Sequence, residues 1–300
     1  MKYLYNISYS HYIFYIMQIN KALITSAGAD QRKLSMQTLV DREGNRKTVL
    51  EILIEEIRQA GIEEIGVVIH PGDLKVCSEM VAGDPHIHFI EQDRQLGYGY
   101  AVLCGESFIG NEYFLHLVGD HLYVNRTEVN CAVHLTDIAK QYKCSVSAVA
   151  PTRENLISNY GTVGGKRVNL SNDLYVIDKV IEKPTPTIAE QKLIIPGLRA
   201  GHYLCFFGMH VLSPNVMVIL EHNLKKANGG KIGLTDSLNE LAQKEQYLAL
   251  EKNDWRFDMG TRYGLLKAQL ALALSGNDRD QVMAELLDFF VTKNMNSAGR

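Results

Sequence analysis

KALITSAG at residues 21–28 and VLEILIEEIRQAGIEEIGVVI at residues 49–69 read together as a strand over 22–26, a helix over 49–60 and a second strand over 65–70. Strand, helix and strand in that order make a parallel βαβ unit. Working outward, strands are expected over 87–90, 113–118 and 145–150, with helices over 98–108 and 130–142.

After Pro151 the pattern changes to strands over 160–164, 174–182 and 202–208, which fit an antiparallel addition to the same sheet. Pro184, Pro186 and Pro196 mark an exposed connection between them. Helices return over 215–225, 235–244, 262–274 and 280–292, the last two on the outside. The expected class is therefore α/β, with a Rossmann-like mixed, mainly parallel sheet flanked by helices and an antiparallel extension. One domain over 17–300 is expected, made of halves 17–150 and 151–275 and a C-terminal helix over 276–300.

Composition excludes several classes. With 300 residues, 46% of them hydrophobic, the chain can bury one large core, so it is neither disordered nor fibrous. The net charge of −3 is spread without a basic stripe, which argues against nucleic-acid binding. Cys77, Cys104, Cys131, Cys144 and Cys205 are odd in number and set among apolar residues, as reduced thiols of a cytoplasmic protein would be. No CxxC or Cys/His cluster suggests a structural zinc. Residues 1–16 carry Tyr3, Tyr5, Tyr9, Tyr12 and Tyr15; the segment is too short and polar to span a membrane and lacks a cleavage signal. It is read as an N-terminal arm or an upstream start, without a membrane role.

Four sets of residues could carry chemistry. Directly after the first strand, Ala27 and Gly28 would let backbone amides meet a base or phosphate, and Arg32 with Lys33 could neutralise a polyphosphate. A plain turn with two solvated cations is as good a reading of that segment alone. Neither GxGxxG nor a Walker lysine loop is there, which argues against a nicotinamide dehydrogenase. In EQDRQLGYGYAVLC (91–104), Gln92 offers a donor and an acceptor to the imide edge of uracil or thymine, beside Gly97 and Gly99. A loop before a helix would look the same. Asp120 and Asp258 end VGD and WRFD; converging, they would make a hard-oxygen site for Mg²⁺, and apart they are turn or cap aspartates. Glu182 and Lys183, before Pro184, could meet sugar hydroxyls and a phosphate, or form a surface ion pair. His70, His116, His121 and His202 lack metal-ligand spacing and are expected in the core or at its rim.

The order of these segments resembles the sugar-1-phosphate nucleotidyltransferases, most closely the UTP–glucose-1-phosphate uridylyltransferases, from about residue 21 to 270. KALITSAG, QLGYGYAVLC, VGD, NYGTVGG, VIEKPTP, GHYLC, IGLTDSL and FDMGTRYGLLKA follow one another as that family's motifs do. The resemblance implies a first half that binds nucleotide and a second that binds sugar. It gives Ala27, Gly28, Gln92 and Gly97 to the uracil, and Asp120 and Asp258 to Mg²⁺. Glu182 and Gly201 fall to the hexose, Lys183 to the sugar phosphate, and Arg32 to the departing pyrophosphate. The expected partners are a nucleoside triphosphate, UTP foremost, and a sugar 1-phosphate, with a homo-oligomer left open. Two alternatives stand beside uridylyl transfer: thymidylyl or cytidylyl transfer, and a nucleotide-sugar-binding regulator without turnover. The chain also departs from the family. KLSMQTLVDREG lacks the Pro-Lys pair whose lysine reaches the triphosphate, for which Lys33 or Lys47 could stand in, and Lys231 and Gly233 stand near the positions where Glu and Gln are usual before Leu-Thr-Asp.

Overall fold

The computed structural model describes residues 17–28, 32–126 and 129–297. The tyrosine-rich segment 1–16 and residues 29–31 of the first loop lie outside them. β1 (Lys21–Thr25) is buried on both faces, Ala22 and Ile24 toward one core and Leu23 toward the other. An antiparallel pair, β2 (Thr38–Val40) and β3 (Arg46–Thr48), leads into α1 (Val49–Gln59). That helix begins where it does because the Thr48 hydroxyl accepts from Glu51 N at 3.2 Å while the Glu51 carboxylate accepts from Thr48 N at 2.6 Å. A reciprocal cap of this kind stabilises by about 1 kcal/mol. Val49, Leu50, Leu53, Ile54 and Ile57 form its buried stripe. β4 (Glu64–Ile69), α2 (Leu74–Met80) and β5 (Ile87–Glu91) complete the first parallel units.

The single helix expected over 98–108 is two, α3 (Tyr98–Leu103) and α4 (Glu106–Ile109). The break falls at Gly105, where a Cβ would lie 2.7 Å from both Leu23 methyl groups. The chain presses onto β1 there, an approach that only glycine permits. β6 (Phe114–Val118) pairs with β1 opposite β4, followed by β7 (His121–Val124), α5 (Cys131–Tyr142) and β8 (Ser145–Arg153).

In the second half come β9 (Gly161–Arg167), β10 (Leu174–Glu182), α6 (Pro186–Lys192), β11 (His202–Leu212), α7 (Asn215–Lys226) and α8 (Leu234–Lys244). The chain closes with β12 (Tyr247–Glu251), β13 (Trp255–Asp258), α9 (Gly264–Ser275) and α10 (Arg279–Ser297). The segment read as an exposed proline connection is largely exposed, and it contains the short helix α6, which the sequence reading did not expect. The Thr185 hydroxyl accepts from Ile188 N, Pro186 sits at the first turn where no donor is needed, and Ala189 and Leu193 are buried.

One sheet runs β5-β4-β1-β6-β11-β8-β12-β10-β9, with β9 also bonded to β11. The pairings leave seven strands pointing one way and only β10 and β11 the other, so the sheet is mixed and mainly parallel. Helices α1, α5 and α9 cover one face and α3, α7 and α8 the other. From β1 the chain goes to β4 on one side and later to β6 on the other. The gap at the carboxyl ends of β1 and β6 is therefore the topological switch point where such sheets hold ligands. Among the described residues no helix is long and apolar enough to cross a membrane.

Candidate active site

A cleft of about 560 Å³ opens at that switch point. Thr25, Ser26, Ala27 and Gly28 border it from the end of β1, and Val118, Asp120 and His121 from the end of β6. Ser26 N still donates to Val68 O at 2.8 Å, so the first loop leaves the sheet as a continuation of strand pairing. Gln92, Gln95, Gly97, Tyr98 and Ala101 form the adjoining wall.

Gly97 shapes that wall. Its φ is +96°, and a Cβ would lie 2.5 Å from Ile232 O. Because no side chain intervenes, Gly99 N donates to Ile232 O (3.0 Å) and Ile232 N to Leu96 O (2.8 Å), clamping the 231–233 segment over the start of α3. Gln92 is buried and its amide nitrogen donates to Arg94 O at 2.9 Å, while the Gln95 amide donates to Ala27 O at 3.3 Å. Tyr98 meets His116 Nε2 at 2.6 Å, and His116 Nδ1 lies 2.9 Å from Leu23 O. A carbonyl accepts only, so Nδ1 carries the proton and Nε2 accepts from the tyrosine. Burial holds the imidazole neutral, its pKa pulled down to about 4.

Opposite stand the acids. β7 and β13 form a two-stranded antiparallel ribbon in which His121 and Asp258 are direct partners. Asp120 precedes β7, and its carbonyl accepts from Met259 N at 3.0 Å. The ribbon thus joins two carboxylates remote in sequence. One donor atom from each of Asp120, His121 and Asp258 lies within 4.8 Å of the others. Asp120 is buried, its Oδ1 2.8 Å from His121 Nδ1, and Asp258 Oδ1 accepts from Gly260 N at 2.9 Å. Two carboxylates and an imidazole at that separation can hold one divalent cation.

The remaining wall is Glu182 and Lys183 at the end of β10, with Asn159 and Lys231. Glu182 Oε2 accepts from the Thr235 hydroxyl at 2.6 Å, tying it to the start of α8. Lys183 adopts a left-handed backbone (φ +45°), with its N–H donating to Tyr160 O at 3.1 Å and its Nζ 3.8 Å from Glu182 Oε1. A lysine in that region is uncommon and persists where surrounding contacts fix it.

Of the residues singled out in the sequence, Ala27, Gly28, Gln92, Gly97, Asp120, Glu182 and Lys183 border this one cleft, and Asp258 stands beside Asp120. Arg32 and Gly201 do not border it. Arg32 Nε lies 3.6 Å from Asp73 Oδ2, and Gly201 O accepts from Glu154 N at 3.0 Å. Lys47 is no substitute for the absent lysine, since it is bound to Asp41 (2.7 Å) and Glu55 (2.6 Å). His121, read as a core or rim histidine, lines the cleft and stands beside both aspartates, which the sequence reading did not foresee. Cross-strand pairing, rather than sequence spacing, brings it there. Gln95, Tyr98, Asn159 and Lys231 were also missed. Only Lys231 gave a signal, as a departure from the pattern of the family the chain resembles.

A family profile for nucleotidyl transferase matches residues 36–274. The UTP–glucose-1-phosphate uridylyltransferase YngB of Bacillus subtilis is 27% identical over 90% of this chain and 95% of that protein. The UTP–glucose-1-phosphate uridylyltransferase of Mycoplasma genitalium is 27% identical over 87% and 94%. Among solved structures, UDP-glucose pyrophosphorylase from Acinetobacter baumannii superposes with a TM-score of 0.72 at 22% identity, over 91% of this chain and all of that one. A UDP-glucose pyrophosphorylase complexed with UDP-glucose gives 0.69 at 23%, over 85% and 98%. The switch-point cleft, the mixed sheet around it and a profile match spanning most of the sequence agree: the chain belongs to the nucleotidyl transferase family.

Proposed function

We propose that this chain transfers the uridylyl group of UTP to glucose 1-phosphate, forming UDP-glucose and pyrophosphate. One observation carries the reading: Gly28, Gln92, Asp120, Glu182 and Lys183 border a single cleft, in a chain whose relatives over about 90% of its length are named for that reaction. A phosphate oxygen of the sugar substrate attacks the α-phosphorus of UTP, and the bond to the β-phosphate oxygen breaks. No side chain forms a covalent intermediate, because holding the two substrates in line and neutralising charge suffices.

The chain's residues divide that work. The backbone at Ala27 and Gly28, with Gln92 and Gly97, holds the uracil. Glu182, steadied by Thr235, accepts from hexose hydroxyls, and Lys183 balances the sugar phosphate. Asp120 and Asp258 hold Mg²⁺, which when bound offsets the charge of the triphosphate. A cytoplasmic location agrees with five free cysteines.

A second reading, binding of nucleotide sugar without turnover, draws on Arg32 lying against Asp73 and Lys47 against Asp41 and Glu55. Pyrophosphate release from purified protein across nucleoside triphosphates and sugar 1-phosphates, with and without Mg²⁺, separates the two. Release with UTP, glucose 1-phosphate and Mg²⁺ is expected. Release only with dTTP or CTP would replace the base assignment, and binding of UDP-glucose with no release from any mixture would favour the second reading.

A further inference from the structure

The cation site has a feature that two aspartates alone would not give it. We infer that His121 is a third protein ligand, so that the site offers one imidazole nitrogen beside two carboxylates and favours divalent first-row transition ions over Mg²⁺. This rests on the cation-binding part of the proposed function and not on the choice of nucleotide or sugar.

Two geometric facts carry it. His121 and Asp258 are directly opposed residues of the β7–β13 ribbon, and opposed residues put their side chains on one face about 5 Å apart at Cβ. Independently, His121 Nδ1 lies 2.8 Å from Asp120 Oδ1, and all three residues offer donor atoms within 4.8 Å of one another. An octahedral ion with bonds of about 2.1 Å sets neighbouring donors about 3 Å apart and opposite ones about 4.2 Å apart. The 2.8 Å pair is close to the shorter spacing, and the 4.8 Å that bounds the whole set lies about half an ångström beyond the longer one, within reach of small side-chain rotations. Where a proton now bridges imidazole and carboxylate, a cation can take its place. The side chain of His121 is mostly buried, at 14% exposure, so it is held in this position rather than swinging through solvent.

The chemistry of the donors sets the preference. Mg²⁺ takes oxygen ligands and retains water, whereas an imidazole nitrogen raises affinity along the first-row series. Ribbon pairing also fixes His121 in the site through β7, since Leu122 and Val124 are fully buried beside it. The backbone of His121 is therefore part of the ribbon that brings the aspartates together.

The test measures binding rather than turnover. Mn²⁺ is titrated into the purified full chain, alone and with UTP. Free Mn²⁺ is followed by electron paramagnetic resonance, Mg²⁺ is used as competitor, and the bound ion is examined for nitrogen modulation in its pulsed spectrum. Wild-type protein is expected to show modulation from one imidazole nitrogen and to bind Mn²⁺ at least about tenfold more tightly than Mg²⁺. His121→Ala and the more conservative His121→Asn should each abolish the modulation and reduce that ratio about tenfold, with Mg²⁺ affinity little changed. Asp120→Asn and Asp258→Asn should weaken both ions. Mn²⁺ bound through the aspartates without nitrogen modulation would overturn the role of His121 and leave the aspartate site standing. Mn²⁺ bound in none of these mixtures would overturn both.

Discussion

Lys183 illustrates how much one residue says and what it leaves out. The Glu-Lys-Pro triplet marked it as a phosphate contact, while its left-handed backbone and the bond from its N–H to Tyr160 O, which aim it at the cleft, are invisible in sequence. A hydrogen bond to a charged group contributes about 1.5–3 kcal/mol. Lys183→Ala should therefore raise KM for glucose 1-phosphate roughly ten- to a hundredfold and leave KM for UTP within about twofold, as initial rates at varied substrate would record. An equal rise in both constants would remove that role. Glu182, Gln92, Gly28 and Asp120 were singled out in short runs whose residue types suit one chemical task, and all four border the cleft, but it was the order of the runs that set them apart from plain turns and caps. Arg32 was singled out for its charge after the first strand and by chain order, and neither says anything about Asp73, which lies beside it. His121 was passed over because a histidine after Asp120 has no ligand spacing along the chain; its partner is across a ribbon.

Among elements, the long ones and the short strands of the βαβ half could be read, while several other short ones could not. α1, α5, α7 and β10 carry ten or so residues of periodic pattern, enough for burial to leave its signature. β7, β13 and β12 span four or five residues, and YLALE of β12 follows the end of α8 with no glycine or proline between, so nothing local separates strand from helix. The turn at Gly97 is an element whose loss can be measured. With φ at +96° and Ile232 O 2.5 Å from a would-be Cβ, Gly97→Ala should destabilise the protein by about 1–3 kcal/mol. It should also weaken UTP binding at least about tenfold, since the 231–233 clamp must shift; thermal unfolding and calorimetric titration would register both. Unaltered affinity would separate the clamp from the nucleotide.

Where α1 packs on α5, Glu56 is buried with its pKa pushed up to about 7, chiefly by burial, while Ala132 N donates to it at 3.2 Å. Between the ordinary 4.5 and 7 the native state keeps a proton that the unfolded chain has released, so stability declines as pH rises through that window. Glu56→Gln retains the acceptor without the charge. It should stabilise the protein by about 1–3 kcal/mol at pH 8 and by almost nothing at pH 4.5, read from urea midpoints at the two values. An equal shift at both would place the effect elsewhere.

At the scale of the whole molecule, the alternation of strands and helices gave the class, since a chain that goes from strand to helix to strand has few ways to bury both faces of its sheet. The strand order was not legible, because it depends on pairings such as β8 with β12 between residues a hundred positions apart. That order matters for chemistry. It puts the ends of β1 and β6 at the switch point, aims β10 at the same gap, and lets the β7–β13 ribbon deliver Asp258 to Asp120. The central claim is that these two carboxylates serve one cation in a transferase cleft. It is tested most directly by the rate of pyrophosphate release from UTP and glucose 1-phosphate in Mg²⁺, compared between wild type, Asp120→Asn and Asp258→Asn, with folding of each checked by circular dichroism. Each substitution is predicted to cost about a hundredfold or more in rate with the fold intact; wild-type rates in either folded variant would contradict the claim.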